Sequence, residues 1–123
     1  MRIFKTKEFT RFARKEGITD RHLVEAVARL AAGHVDADLG GGVVKQRLAR
    51  PGQGRSGGFR VVLFYRAASR LIFVAGFAKS ARANIGDEEL TAFKWAARLA
   101  LTFSDGEINT LLEARHWQEI DNG

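Results

Sequence analysis

Two periods run through the apolar positions of this chain. In "TKEFTRFARKEG" Phe9, Phe12 and Ala13 share one helical face, with Thr6 placed to cap the helix, Glu8 near its positive end and Gly17 placed to close it. Leu23, Val24, Val27, Leu30 and Ala31 repeat that spacing after Thr19 or Asp20 and stop at Gly33, which predicts a second helix and a short helical hairpin. A short strand, "RIFK", precedes both. The turn-rich "GHVDADLGGG" leads into three segments of strand character, "VVKQRLA", "FRVVLFYRA" and "LIFVAGFA", the last two joined by "ASR" and suited to an antiparallel meander. Helical spacing returns in "DEELTAFKWAARLALTF", with Asp87 as cap and acids in the first turn, and again after Ser104 and Glu107, a capping-box pair ahead of Ile108, Leu111 and Leu112. The tail "HWQEI" fits either a last short strand or an irregular cap. The predicted order is β-α-α-β-β-β-α-α. Residues 1–123 hold no internal repeat, low-complexity tract or interdomain linker, so a single α+β domain is expected.

Strand alternation sorts the side chains further. In "FRVVLFYR" Phe59, Val61, Leu63 and Tyr65 fall on one face and Arg60, Val62, Phe64 and Arg66 on the other. The first face is expected to meet the helices. Lys45 and Arg47 share a face of "VVKQRL", so with Arg60 and Arg66 they predict an open basic side of the sheet, on which Phe64 is a candidate to stack on a base. Strict alternation in the next strand places Lys79 in phase with Leu71, Phe73 and Phe77, toward the core, unless the strand end frees it. Trp95, Leu99 and Phe103, spaced i, i+4, i+8, read as a core stripe, with a partner-binding strip as the alternative.

Charge sharpens this picture. The chain has 123 residues and a net charge of +6, but residues 1–85 carry 17 Lys and Arg against 6 Asp and Glu, while residues 86–123 carry 3 against 8. Between Asp38 and Asp87 no acid occurs. A polyanionic partner is the natural inference. The absence of cysteine removes disulfides and thiolate chemistry, and neither a signal peptide nor a membrane span is recognisable, so a cytoplasmic protein without a membrane partner is expected.

"ARPGQGRSGGFR" contains Gly52-x-Gly54-x-x-Gly57, yet it opens a strand rather than a helix and so lacks the amide-lined helix N-terminus that holds a pyrophosphate. Its better reading is a flexible connection on which Arg50 and Arg55 meet phosphates. Asp36 and Asp38 suggest a turn or cap more than a metal site, and His22, His34 and His116 lack ligand spacing. No cofactor is expected.

"DADLGGGVVKQRLARPGQGRSGGFRVVLFYR" followed by "RLIFVAGFAKSARANI" resembles the HigB-like branch of the RelE/ParE toxins of bacterial type II toxin-antitoxin systems, and the likeness extends over most of residues 1–95. The resemblance implies a RelE-like α+β fold, two N-terminal helices packed on a small antiparallel sheet, with C-terminal helices. It also implies a neutralising cognate antitoxin, contact with operator DNA only through that antitoxin, and cleavage of messenger RNA on the translating ribosome. By motif position the family's basic residues fall on Lys45, Arg47, Arg60, Lys79 and Arg82. Where several members carry Tyr or His after the last basic strand, this chain has Asn84 and Ile85.

Metal-free RNA cleavage needs a base for the ribose 2′-hydroxyl, positive charge on the pentavalent phosphate and an acid for the leaving 5′-oxygen. The expected roles are Arg60 as phosphate clamp, Lys45 as base if its surroundings favour the neutral amine, and Lys79 or Arg82 as proton donor or charge stabiliser. Arg47, Arg50, Arg55, Phe64 and Arg66 are expected to hold RNA. Two other readings stay open: a ParE-like toxin that inhibits DNA gyrase without cutting RNA, and a non-catalytic nucleic-acid-binding domain.

Overall fold

The computed structural model describes residues 1–49, 58–79 and 84–122. The elements run β1 (Arg2–Thr6), α1 (Lys7–Glu16), α2 (Asp20–Ala31), β2 (Ala37–Gly40), β3 (Val43–Leu48), β4 (Phe59–Arg66), β5 (Arg70–Ala78), α3 (Asp87–Ala100), α4 (Asp105–Glu113) and β6 (Trp117–Ile120). The helix boundaries follow local chemistry. The Thr6 hydroxyl accepts from the Phe9 amide at 3.1 Å, and Gly17, at φ 72°, ends α1 in the left-handed region. Ser104 and Glu107 form the expected reciprocal cap of α4, and Thr19 forms one with His22, whose Nδ1 accepts from the Thr19 amide. Asp87 is not a cap. It is the first helical residue of α3, after Gly86.

The sheet has six strands in the order β2-β3-β4-β5-β1-β6. The expected meander β3-β4-β5 is present and antiparallel. One strand exceeds the sequence expectation, β2, which forms inside the turn-rich segment; of the two readings open for the tail, the strand is the one formed, as β6 against β1. The first strand also departs from an all-antiparallel sheet, because β1 pairs with β5 in parallel. The chain reaches that position only by crossing over through α1, α2 and the meander, a long-range closure with no local sequence signal.

Helices cover both faces. Phe9, Leu23, Val27 and Leu30 of α1 and α2 pack with Val61, Leu63, Leu71 and Phe73, while Ala97, Ala100, Leu101 and Ile108 of α3 and α4 pack with Val43, Val62, Phe64 and Ile72. The open basic face expected from alternation is therefore overturned along most of β4, where every residue from Phe59 to Phe64 is buried. The unbroken apolar run Val61-Val62-Leu63-Phe64 is the signature of a strand covered on both sides. Gly42, at φ 84°, sets the close approach of the β2–β3 turn to this layer, since a side chain there would meet Leu101.

The Trp95 stripe is split. Helix α3 turns Ala97 and Ala100 to the sheet, with Leu101 just past its end, leaving Trp95 64% and Leu99 48% exposed, while half-buried Phe103 packs its ring 5.8 Å from Trp117. The core reading fails for the first two residues. Among the described residues, no helix is long and apolar enough to cross a membrane.

Candidate nucleic-acid interface

The side chains at one end of the sheet are placed by strand register. Arg47 and Arg60 are direct partners across β3 and β4, and Lys45 pairs with Val62, the next residue on the Arg60 face. Directly opposed side chains lie about 4.5–5.5 Å apart at Cβ and diagonal ones about 7–8 Å, so Arg47, Arg60 and Lys45 form one cationic group. Placing two arginines opposite each other costs stability.

Lys79 joins them through a bulge. Val62 pairs with Ala75 but Leu63 pairs with Phe73, which leaves Val74 without a partner and inverts the phase of β5 beyond it. Before the bulge Leu71 and Phe73 face α1 and α2; after it Ala78 does, and the Phe12 ring of α1 lies where a side chain on Gly76 would stand. Ala75 and Phe77 belong to the opposite layer, and Phe77 lies across from Arg60. Exposed Lys79, whose amide donates to the Gly58 carbonyl at 3.4 Å, continues that phase and reaches the Arg60 face. The strict alternation that pointed Lys79 coreward is corrected by one extra residue.

Arg60 is the unusual member. It is only 9% exposed, and among the described residues its Nη1 is buried without a hydrogen-bond partner. Burying a guanidinium nitrogen without a partner costs folding free energy, because its hydration is lost. The ion pairs formed among the described residues, Arg2 with Asp105 and Glu119, Lys5 with Asp20 and Arg21 with Glu25, involve none of the four clustered cations. Lys45 is half-buried and donates from Nζ to Asn84 Oδ1 at 3.2 Å. Asn84 thus stands beside the cluster through the fold. Its sequence position marked it only by the side chain it lacks.

The platform is not free of carboxylates. Although no acid occurs in the sequence between Asp38 and Asp87, the fold brings Asp36 alongside β3, where its Oδ2 accepts from the Arg47 amide. Buried Gln46 anchors the same loop, donating to the His34 carbonyl at 2.6 Å and accepting from the Asp36 amide at 3.0 Å. Asp38 accepts from the Gly40 amide. Both acids therefore act as turn and edge acceptors.

Two residues expected to hold RNA, Phe64 and Arg66, stand apart from this cationic group. Phe64 is 3% exposed with its ring edge-on to Phe93 at 6.4 Å, so it is a core residue and is not available to stack on a base. Arg66 is exposed but lies at the far end of β4, about 20 Å from Arg60 at strand rise, with buried Val62 and Phe64 between them. Its cross-strand partner Arg70 donates to the carbonyls of Ala100 and Phe103 and closes the end of α3. Arg50, Arg55, Arg82 and the glycine loop lie outside the described residues.

Over residues 1–120 the chain matches the family described as the RelE toxin of the RelE/RelB toxin-antitoxin system, and it belongs to that family. No curated protein gives a significant match.

Proposed function

We infer that this RelE-family chain is the toxin of a type II toxin-antitoxin system, of the HigB-like branch, and that it stops translation by cutting messenger RNA on the ribosome. Arg60 carries the reading. A guanidinium nine-tenths buried and lacking a partner at Nη1 among the described residues, with Arg47, Lys45 and Lys79 on the same face, answers to a phosphate, whose oxygens match the guanidinium fork and neutralise its charge.

In this scheme the ribose 2′-hydroxyl loses its proton and attacks the adjacent phosphorus. The bond to the 5′-oxygen breaks, leaving a 2′,3′-cyclic phosphate and a 5′-hydroxyl. Arg60, itself buried, holds the non-bridging oxygens as negative charge builds on them. Lys45, oriented by Asn84 and acting as the neutral amine, takes the 2′-hydroxyl proton, and Lys79 or Arg82 protonates the leaving oxygen or offsets its charge. Arg47 grips the neighbouring backbone. The scheme calls on no cofactor. The partners are the ribosome, its message and a cognate antitoxin through which operator DNA is reached, all in the cytoplasm.

One observation favours a second reading. The Asn84 carboxamide neither gives nor takes a proton near neutral pH, and a cluster short of one proton-transfer group suits a ParE-like inhibitor of DNA gyrase. Primer extension on transcripts after induction separates the two. Discrete, translation-dependent cuts that vanish with Arg60→Met support the ribonuclease; intact messages with DNA damage support gyrase inhibition. Growth without arrest would reject both in favour of a binding domain.

A further inference from the structure

The bulge that turns Lys79 toward Arg60 carries a second residue with it. Alternation from Leu71 and Phe73 would set Phe77 against α1 and α2, but the unmatched Val74 moves it to the other side of the sheet. There Phe77 is the direct cross-strand partner of Arg60, which is in turn the partner of Arg47. One row across β3, β4 and β5 therefore reads Arg47, Arg60, Phe77, with neighbours about 4.5–5.5 Å apart at Cβ. Lys79 follows two residues along β5, on the same face.

The other aromatics of the two strands are committed to the core. Phe59 and Phe73 are fully buried against α1 and α2, Phe64 is 3% exposed in the α3 layer, and Tyr65 packs toward α1 and α2. Phe77 differs from them in its setting. It packs on the α3 layer together with Ala75 and Ile85, which fixes the ring, yet it is only half-buried and keeps part of its surface in solvent. On the flank away from Arg60, among the described residues, no strand lies beside it: β1 pairs with β5 as far as Phe73 and the chain then turns into α1, whose Phe12 covers Gly76 on the opposite face.

We propose that Phe77 is the platform on which the nucleobase next to the phosphate held by Arg60 stacks. The inference rests on the ribonuclease reading and deepens it, because the site then takes one nucleotide by two of its parts, the anion at Arg47 and Arg60 and the base at Phe77. Cations alone grip any polyanion. A ring in the same row demands a base, and it fixes which ribose is presented to the cluster. Stacking on an aromatic tolerates every base, and purines, with the larger face, gain most from it.

The test titrates the full chain with two single-stranded RNA hexamers of equal charge, one of adenines with a central 2-aminopurine and one without bases. The unaltered chain is expected to bind the base-bearing hexamer about tenfold more tightly and to quench its 2-aminopurine emission. Phe77→Leu, which keeps an apolar side chain in the layer, is expected to lose that tenfold and the quench while binding the abasic hexamer as before. Phe77→Trp, which keeps a ring, is expected to retain both. The salt dependence separates stacking from support of Arg60: Phe77→Leu should leave the slope of log K against log salt unchanged, whereas a displaced guanidinium lowers it by about 0.7. A loss of equal size for the abasic hexamer, a lowered slope, a quench that survives Phe77→Leu, or failure of Phe77→Trp to retain the difference overturns the proposal. Binding of both hexamers with Phe77→Leu indistinguishable from the unaltered chain removes the platform and leaves the ribonuclease reading standing. Absence of binding to either hexamer by the unaltered chain sinks that reading and the platform together.

Discussion

The strand end around Arg60 and the helical ridge around Trp95 depart from stable burial in opposite directions. One buries a cation whose Nη1 has no partner among the described residues, the other holds an indole in water, and both sit within a few residues of well-packed core. A chain selected for stability alone would exchange them. Buried charge and exposed aromatic surface are the informative exceptions to the burial rule because each costs folding free energy. The two differ in what would relieve them: an anion at Arg60, an apolar surface at Trp95.

The contrast depends on the core between the two regions, so the largest effect is expected there. Phe64→Ala should cost about 3–5 kcal/mol in chemical denaturation, as removal of a packed aromatic does. A cost under about 1 kcal/mol would return Phe64 to the surface and revive base stacking. Next, Arg60→Met should leave the denaturation midpoint unchanged or higher, since an apolar side chain of similar length relieves the desolvated charge, while message cleavage falls about 100- to 1000-fold. A clear loss of stability would mean that the guanidinium is already satisfied, and the contrast with Trp95 would disappear.

Salt dependence offers a finer probe. For binding of single-stranded RNA, Lys45→Ala and Lys79→Ala should each reduce the slope of log K against log salt by about 0.7 per lost phosphate contact, and Arg66→Ala should leave it unchanged. An effect of Arg66 equal to that of Lys79 would place RNA along the whole strand rather than at its end. The smallest effect lies outside both regions, at the β1–β6 edge. The Arg2 hydrogen bond holds the Glu119 carboxyl below the usual carboxylate range, and the same bond raises Arg2. A depressed carboxyl contributes stability above its unfolded value of about 4.3 and loses it as the pH falls through the folded value. Both side chains are about two-fifths exposed, so solvent screening limits the loss on acidification to about 1 kcal/mol or less. Glu119→Gln should flatten that part of the acid melting profile without touching cleavage.

Much of the fold was legible because its signals are local. Thr6, Thr19 and Ser104 cap the helices they precede, and the β3-β4-β5 meander follows alternating runs joined by short turns. Asp87 was displaced by one position because Gly86 caps through its backbone alone. The second helical layer was half-written in the run Val61 to Phe64, whose continuity outweighs the alternation that Arg60 and Arg66 suggest. The candidate site was legible as a set of cations and illegible as a shape. Asn84 reaches Lys45 across 39 positions, and Asp36 meets Arg47 across 11.

What these residues determined unaided was which segments coil, which extend, where each helix begins, and that a carboxylate-poor stretch supplies the positive charge. Such outcomes depend on groups a few positions apart, whose energies are set before the chain closes on itself. The tertiary structure alone decided which cations share a surface. One unmatched residue, Val74, turned Lys79 toward Arg60, and the return of α3 across the sheet hid Phe64 and left Trp95 outside, because strand register and layer packing are selected by contacts between distant segments.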